Sequence, residues 1–304
     1  MSANKSDNIS SPELTVIVLN WNGSADLSDC MKSLKSCGYP ALRILCVDNA
    51  STDDSVEMMQ KDFPEIELVV TSQNLRWAGG NNFGLNHLGA ELSDYVLLLN
   101  NDTIVKKGAF DKLVETAISK NAWAVTPRIC YAEAEDKVWY DGGLIGKFTG
   151  WIRHSGIRKH IHDCSSEVRE IDYGSGCALL LSRECVQQVG LFDESFFLYA
   201  EDCDYSMRIL SAGGSIWHDP GSMVLHKVSQ STGSDSPKKA YLKSRSIVHF
   251  LQKHCMTWTV WPFQVLISIA QAGWFLFRGY PVTAAAVFFG FIDELRNASQ
   301  KDYC

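Results

Sequence analysis

Short apolar runs rich in β-branched residues alternate with segments of helical spacing over the first third of the chain. The runs occupy residues 14–19, 42–47, 66–71 and 95–99, and polar or turn-forming residues follow them. Runs of this length and composition are typical of buried strands. The intervening segments predict helices from Ser24 or Asp26 to Leu34, over residues 55–63 and over residues 82–92. This alternation predicts an α/β fold with a mostly parallel central sheet between helical layers, an αβα sandwich.

The pattern becomes irregular after about residue 103. A helix is predicted over residues 109–120 and a strand over residues 178–181, separated by a loop-rich stretch. The second half is therefore expected to be α+β, without the regular alternation of the first half.

The last fifty residues have a different composition. Residues 257–277 contain no charged side chain and are long enough to span a bilayer, which takes about 20 residues. Gln264, Ser268 and Gln271, however, are spaced to lie along one helical face, which indicates an amphipathic helix. We expect residues 251–304 to form amphipathic helices that associate with a membrane surface. A helical pair packed in the core or in an oligomer, and a true membrane span, remain the alternatives.

Composition and charge exclude several classes of protein. With 304 residues, 46% hydrophobic and 21% charged, the chain is close to the globular average, unlike a disordered, collagen-like or fully membrane-embedded protein. Lys and Arg number 28 against 35 Asp and Glu, so the net charge of -7 gives no general attraction to nucleic acid. An anionic ligand would need a metal ion or local donors.

The ten cysteines are scattered without a C-x-x-C pair, which disfavours a zinc or redox motif. Residues 1–12 form a polar leader with no apolar signal region, and we expect a cytoplasmic protein with reduced thiols.

Polar clusters follow three of the predicted strands, at residues 20–23, 48–54 and 100–102. In parallel sheets ligands bind beyond the carboxyl ends of the strands, so these clusters are expected to meet. Asp48 is placed to accept hydrogen bonds from a ribose or a base, although it is also a common helix cap. Asp102 is placed to hold a divalent cation with a diphosphate, although an Asx turn is an equal alternative.

Three further segments contain residues suited to chemistry. The paired glycines of residues 74–84 precede a predicted helix and permit close approach to a ligand, but G-x-G-x-x-G is absent. Glu201 and Asp202 lie among aromatics, where burial would raise one pKa and leave a general base. The alternative is that Asp202 or Asp204 caps a helix over residues 205–212 and that Glu201 is solvated. His226 follows an apolar stretch, and a lone histidine is more often structural than a ligand.

In chain order, seven segments resemble the inverting glycosyltransferases of family 2, which have the GT-A fold. They are VIVLNWNG, VDNASTDDS, NLRWAGGNNFGL, LLLNNDT, GSGCALLLSRE, VGLFDESFFLYAEDCDYSMRI and DPGSMVLHKVSQS. The subgroup they most resemble is the rhamnosyltransferase-like enzymes of bacterial surface polysaccharide assembly. The resemblance covers about residues 13–250 and implies a nucleotide-binding half at 13–103 and an acceptor-binding half at 104–250.

The resemblance also implies roles for individual residues. Asp202 matches the catalytic base, with Glu201 as the fallback, and Asp102 with His226 matches a site for Mg²⁺ or Mn²⁺. The residues implied in binding the nucleotide-sugar are Asn20, Asn22, Asp48, Asn74, Arg76, Gly80, Asn81, Asn100, Asn101 and Asp102. Three positions depart from the family pattern: Asn100 and Asn101 replace carboxylates of many relatives, and Arg76 stands where glycine is usual.

The implied function is transfer of a sugar, with rhamnose from dTDP-rhamnose as the first candidate, to a hydroxyl of a glycan or lipid-linked oligosaccharide. The implied setting is O-antigen or capsule synthesis, on the inner face of the cell membrane, by metal-assisted single displacement. A UDP- or GDP-hexose transferase and a non-catalytic nucleotide-sugar-binding protein are the alternatives. A sugar nucleotidyltransferase is disfavoured because residues 20–23 are not a basic glycine-rich loop.

Overall fold

The computed structural model describes residues 11–228, 236–254 and 257–298. Most of the predicted leader at residues 1–12, residues 299–304 of the carboxyl-terminal segment and residues 229–231 of the last motif lie outside the described residues. The strands are β1 Leu14–Asn20, β2 Leu42–Asp48, β3 Glu67–Val70, β4 Tyr95–Asn100, β5 Thr103–Val105, β6 Ala124–Tyr131, β7 Ala134–Tyr140, β8 Gly143–Ile145, β9 Ile152–His154, β10 Arg169–Glu170, β11 Ala178–Ser182 and β12 Ile216–His226. The helices are α1 Ser24–Ser36, α2 Ser55–Asp62, α3 Arg76–Leu88, α4 Ala109–Lys120, α5 Arg183–Val189, α6 Glu201–Ser211, α7 Pro237–Lys253, α8 Val260–Phe277 and α9 Pro281–Ala298.

One large sheet runs through the molecule in the order β10-β12-β6-β11-β4-β1-β2-β3, with β5 beside β12 and β7 beside β6. β1 to β4 are parallel, as the sequence pattern predicted. Beyond them the sheet is mixed, because β11 lies between β4 and β6 and runs antiparallel to both. The parallel arrangement is therefore confined to the first half and to the β6 and β12 pair.

The register of the parallel strands brings the predicted polar clusters together. Asn20 at the end of β1 lies opposite Asp48 at the end of β2, and Leu19 lies opposite Asn100 at the end of β4. The strand interiors are buried, as at Ile17 and Leu98, and each such side chain contributes about 1.5–3 kcal/mol relative to exposure. The apolar core thus fixes one edge of the sheet at which the polar strand ends meet.

The glycine-rich run lies inside a helix, whereas the sequence predicted a loop before a helix over residues 82–92. α3 begins at Arg76 and includes Gly79 and Gly80. A Cβ atom at Gly80 would overlap the Leu19 side chain, and one at Gly84 would lie 3.0 Å from Ile17 Cγ2. The glycines let α3 pack closely on the sheet, and this tertiary contact outweighs their low helix propensity.

α6 also begins earlier than predicted. Glu201 and Asp202 are in its first turn, where carboxylates interact favourably with the helix dipole. The preceding residues Tyr199 and Ala200 have left-handed backbone conformations, with φ of 72° and 66°. Such conformations are strained for residues other than glycine, and strain of this kind clusters at functional sites.

The carboxyl-terminal helices pack on the rest of the protein through α7, which crosses the boundary expected between residues 250 and 251. α9 is tied to α7 by buried polar contacts. His249 Nδ1 and Arg245 Nε lie 2.9 Å and 2.7 Å from the two carboxylate oxygens of Glu294. Ser244 Oγ donates to the Val287 carbonyl at 2.8 Å. α7 therefore contacts both the part of the chain before residue 251 and the carboxyl-terminal helices.

α8 is amphipathic, as the spacing of its polar residues predicted, although Gln271, the third of them, is exposed. Gln264 and Ser268 face the protein and are only 3% and 2% exposed, while Leu266 and Ile269 are 60% and 52% exposed. Among the described residues, one helix, Val260–Phe277, is long enough and apolar enough to cross a membrane by length and composition. Of this helix, 22% is buried inside the protein. The apolar side chains, rather than the polar ones, thus form the outer face.

Candidate active site

A cavity of about 1660 Å³ lies beyond the carboxyl ends of β1, β2 and β4. The residues at or after those strand ends that line it are Leu19, Trp21, Asn22, Gly23, Asn49, Asn100, Asn101 and Asp102. Residues 197–199 before α6 and the beginning of α7 line it from the second half. This is the edge at which doubly wound sheets bind ligands.

Hydrogen bonds among the strand ends fix the loops on one side of the cavity. Asn20 Nδ2 donates to Asp48 Oδ2 at 2.9 Å, and Asn101 Nδ2 donates to Asn20 Oδ1 at 2.7 Å. The Ser51 backbone N–H donates to Asp48 Oδ1 at 2.8 Å. Asn20 and Asp48 are buried and do not line the cavity. In this structure Asp48 orders the loop, and Asn22 and Asn49 face the cavity beside it.

Arg76 and Asn74 line the cavity at the start of α3. Asn49 Nδ2 donates to Asn74 Oδ1 at 3.2 Å and to the Arg76 carbonyl at 3.0 Å. Arg76 has a left-handed φ of 65°, which explains why glycine suits this position, and its guanidinium stacks on the Phe197 ring. The stacking places a cation at the cavity and joins α3 to the segment before α6.

Gly80 and Asn81 are not brought to the cavity with the other predicted donor-binding residues. Gly80 packs against Leu19 inside α3, and Asn81 Nδ2 donates to the Trp77 carbonyl at 2.9 Å. Both are buried on the sheet side of the helix because α3 includes the glycine-rich run. In the structure both residues therefore lie in the packing between α3 and the sheet and do not line the cavity.

Asp102 and His226 form a buried pair in the cavity. Asp102 Oδ1 lies 3.2 Å from His226 Nε2, and the imidazole packs edge-on against Trp139 at 4.6 Å. Burial lowers the pKa of His226, but Cys177 and Asp102 outweigh burial and raise it to about 10, so a divalent cation would have to displace the imidazolium proton before His226 could ligate it. The neighbouring Asn100 Oδ1 accepts a hydrogen bond from Trp77 Nε1 at 3.2 Å. The pair is brought together from β4 and β12, far apart in the chain.

The pair fits a divalent cation shared with a diphosphate. His226 Nδ1 is buried and has no hydrogen-bond partner among the described residues. Carboxylate and phosphate oxygens suit Mg²⁺ and Mn²⁺, which are often held by one or two protein groups and substrate phosphates. Within residues 11–228, 236–254 and 257–298, no group of three or more His, Cys, Asp or Glu side chains forms a metal site by itself.

The two carboxylates at the start of α6 have different environments. Asp202 Oδ2 accepts the Gly176 backbone N–H at 3.1 Å and Oδ1 accepts the Cys203 N–H at 2.8 Å. Burial and the neighbouring Asp202 raise the pKa of Glu201 to about 8. Neither side chain lines the cavity, which begins at the adjacent Tyr199. Asp202 is held in a fixed orientation, whereas the surroundings of Glu201 favour its neutral form.

Basic side chains on the far wall of the cavity were missed by the sequence reasoning. They are Lys137, Arg158, Lys227, Lys238 and Lys239. Lys227 Nζ is bound to Asp26 and Asp29 at 2.9 Å and 2.7 Å, while the other four make no ion pair within the described parts of the chain. Four separate segments supply these cations, so no local run of charge in the sequence could have indicated them.

The mixed sheet and the cavity at the carboxyl ends of β1, β2 and β4 are consistent with the GT-A fold. Residues 15–189 match the family model described as glycosyl transferase family 2. The chain belongs to this family, which confirms the resemblance carried by its motifs, and it is a glycosyltransferase.

Curated relatives support the same assignment. The chain is 27% identical over 265 residues to the N-acetylglucosaminyl-diphospho-decaprenol L-rhamnosyltransferase of Mycobacterium tuberculosis, covering 81% of this chain and 86% of that protein. It is 25% identical over 200 residues to a low-salt glycan biosynthesis hexosyltransferase of Haloferax volcanii, covering 64% and 61%. These similarities support transfer from a nucleotide-sugar to a glycan acceptor.

Solved structures confirm the fold. GalNAc-T7, crystallised with UDP, GalNAc and Mn²⁺, is similar with a TM-score of 0.62 at 14% identity, over 81% of this chain and 48% of that one. This chain therefore spans about half of that protein. The mannosyltransferase PcManGT of Pyrobaculum calidifontis, in complex with GDP-Man and Mn²⁺, gives a TM-score of 0.60 at 14% identity, over 94% and 88%. At such identities the likeness is one of fold.

Proposed function

We propose that the protein transfers L-rhamnose from dTDP-rhamnose to a hydroxyl of a lipid-diphosphate-linked glycan, in the synthesis of a cell-surface polysaccharide. The observation that carries this proposal is the cavity in which the strand-end asparagines, the Asp102 and His226 pair and several lysines meet. The likeness to a rhamnosyltransferase over most of both chains supports the choice of sugar and acceptor.

The donor is bound with its nucleotide beside Asn22 and Asn49 and its diphosphate toward Asp102. Asp48 and Asn20 keep the loops in the shape that receives the base. A divalent cation held by Asp102 and His226 would neutralise charge on the leaving diphosphate when bound. Arg76 adds a fixed positive charge on the opposite side, because it is stacked on Phe197.

Asp202 acts as the general base that removes the proton of the acceptor hydroxyl. The hydroxyl oxygen then attacks the anomeric carbon on the face opposite the nucleotide diphosphate, which leaves in one displacement with inversion. Asp202 suits this role better than Glu201, since burial and the neighbouring Asp202 raise the pKa of Glu201 and favour its neutral form. The backbone N–H of Gly176 orients the Asp202 carboxylate.

We place the enzyme on the inner face of the cell membrane, where nucleotide-sugars and lipid-linked acceptors meet. The support is the outward apolar face of α8, on which Phe263, Leu266 and Ile269 are exposed.

Donor hydrolysis and transfer measured over a panel of UDP-, GDP- and dTDP-sugars, with Mg²⁺, Mn²⁺ or EDTA, test the donor and the metal. Release of dTDP from dTDP-rhamnose that requires the metal is the expected result. Preference for a UDP- or GDP-hexose would contradict rhamnose as the transferred sugar. Turnover unaffected by EDTA would contradict a role for the metal.

Matched variants of the two carboxylates test the base. Asp202→Asn is expected to lower kcat by about 10²–10⁴-fold with donor affinity retained, since the proton acceptor is lost. Glu201→Gln is the isosteric control and should keep most activity at pH 7. Loss in Glu201→Gln with retention in Asp202→Asn would assign the base to Glu201, and retention in both would leave the proposed mechanism without its base.

A further inference from the structure

A second cavity, of about 560 Å³, lies between α7, α8 and α9, within the range of roughly 300–1,000 Å³ common for small-molecule sites. We call it the helical groove. Its lining residues are Trp151, Lys239, Ala240, Lys243, Ser244, Ile267, Ala270, Gln271, Trp274, Phe275 and Val287. The groove is built almost entirely from the carboxyl-terminal helices, outside the residues that match the family model.

The helical groove adjoins the candidate active site. Lys239 lines both cavities. Lys238, the residue before it, lines the larger cavity, whereas Lys243, one turn later on α7, lines the groove. A ligand that extends from the acceptor side of the active site would therefore pass Lys239 and then Lys243.

The entrance of the groove is cationic. Lys239 and Lys243 are four residues apart on one helix, where like charges repel. Within the described residues neither lysine has an ion pair, and no lining residue of the groove is acidic. Surrounding protein atoms and Lys239 lower the pKa of Lys243. An anion with more than one charge would relieve this repulsion by binding both ammonium groups.

The remainder of the groove is apolar. Ile267, Trp274 and Phe275 form one wall from α8, and Val287 closes it from α9. α8 continues the apolar surface outward, because Leu266, Leu276 and Phe277 are 60%, 57% and 85% exposed. The groove thus has a cationic end near the active site, and its opposite end opens onto an apolar surface.

We propose that the helical groove binds the diphosphate and the first isoprenoid units of a polyprenyl-diphosphate-linked acceptor, with Lys239 and Lys243 on the diphosphate and the α8 wall on the chain. This inference rests on the proposed function, since it supplies a site for its acceptor. The glycan end of the acceptor then points past Lys239 toward the donor cavity, and the lipid end leaves along α8 toward the membrane.

The test measures binding of farnesyl diphosphate, a soluble C15 isoprenoid diphosphate, to the full chain by calorimetry, beside inorganic diphosphate and farnesol. Farnesyl diphosphate should bind at least about tenfold more tightly than either fragment, because only it satisfies both ends of the groove. Lys243→Met should weaken that binding by about tenfold, since it removes a charge-assisted contact. Ala270→Trp should also weaken it, because the new ring fills the groove.

Matched controls separate groove effects from general ones. Lys61→Met removes a surface charge on α2, and Ile118→Trp adds a ring on the exposed side of α4; both should bind the probe as the wild type does. Unchanged dTDP binding by Lys243→Met and Ala270→Trp would show that both variants are folded. Equal binding of the probe by all four variants, or binding no tighter than that of its fragments, would overturn the proposal.

Two further outcomes distinguish this inference from the proposed function. Farnesyl diphosphate binding that depends on Lys243, in a protein that turns over none of the tested donors, would support the groove and contradict the proposed reaction. Transfer to a lipid-free glycan that is equally fast in Lys243→Met, without probe binding, would support transfer and overturn the groove. A dimer in sedimentation that excludes the probe would assign the groove to a second copy and also overturn it.

Discussion

Asp141 is the clearest example of a residue whose importance is electrostatic and structural. Its buried carboxylate lies 2.7 Å from Arg128 Nε, 3.0 Å from His218 Nε2 and 2.9 Å from an Arg169 nitrogen. The cluster joins β6, β12 and the end of β7 in the second half of the chain.

We predict that Asp141→Asn lowers the free energy of unfolding by about 3–5 kcal/mol, because it leaves the buried Arg128 without its charge partner. Urea denaturation measures the change. Asp136→Asn, which breaks an exposed pair with His160, is the control and should cost about 0–1 kcal/mol. Similar effects of the two substitutions would contradict the importance of burial.

Glu201 provides a pH-dependent prediction at the same scale. The folded protein raises its pKa from 4.5 to about 8, so the fold favours the neutral carboxyl. Its contribution to stability is complete below the unfolded pKa and is lost as pH rises through the folded pKa. Between these values the wild type should lose stability relative to Glu201→Gln, by up to about 1.4 kcal/mol per pH unit.

Urea unfolding of both proteins at several pH values between about 5 and 9 measures this difference. Taking the difference cancels the titration of the other groups, because only Glu201 is changed. A stability difference that does not vary over this range would show that Glu201 titrates normally in the folded state.

At the scale of elements, glycine has opposite roles in two helices. A Cβ atom at Gly80 in α3 would overlap Leu19, whereas one at Gly273 in α8 would meet nothing within 4 Å. We therefore predict that Gly80→Ala destabilises the protein by about 1–3 kcal/mol through overpacking. Gly273→Ala should stabilise it by up to about 1 kcal/mol through helix propensity.

Thermal unfolding of the two variants beside the wild type checks both signs. The pair also tests the sequence-based role of Gly80 in donor binding. Loss of nucleotide affinity without loss of stability in Gly80→Ala would favour ligand contact over packing.

The elements that the sequence predicted well are those whose burial is set by neighbours in the chain. β1, β2, β4 and α4 match their predicted ranges within a residue or two, since apolar periodicity alone determines them. The start of α3 was missed because glycine and asparagine are poor helix formers, and only the close approach to β1 makes a helix favourable there. Similarly, α6 begins at Glu201 after two strained residues that local propensity would not select.

At the scale of the whole molecule, the outward face of α8 predicts membrane binding. Leu266 and Ile118 are equally exposed, at 60% and 57%, but Ile118 lies on α4. Leu266→Glu should lower the partition of the full chain onto phosphatidylcholine and phosphatidylglycerol vesicles by about tenfold. The reason is that it places a charge on the helix face that enters the membrane. Ile118→Glu carries the same charge change and should leave partition unaltered.

Vesicle flotation of the three proteins measures the partition. Equal binding of Leu266→Glu and wild type would contradict a membrane-facing α8. A loss shared by both variants would attribute binding to net charge instead of to this helix.

The sequence by itself determined the strand and helix alternation of the first half, the edge at which the polar clusters meet and the family. These depend on residues near one another in the chain and on motifs in a fixed order. Only the tertiary structure decided which helix faces are buried, as at Gln264 and Ser268, and which distant charges converge, as at Asp102 with His226. The physical reason is that a side chain's burial and electrostatic partners depend on elements that are distant in the chain and packed against it. Those contacts cannot be inferred from the residues next to it in sequence.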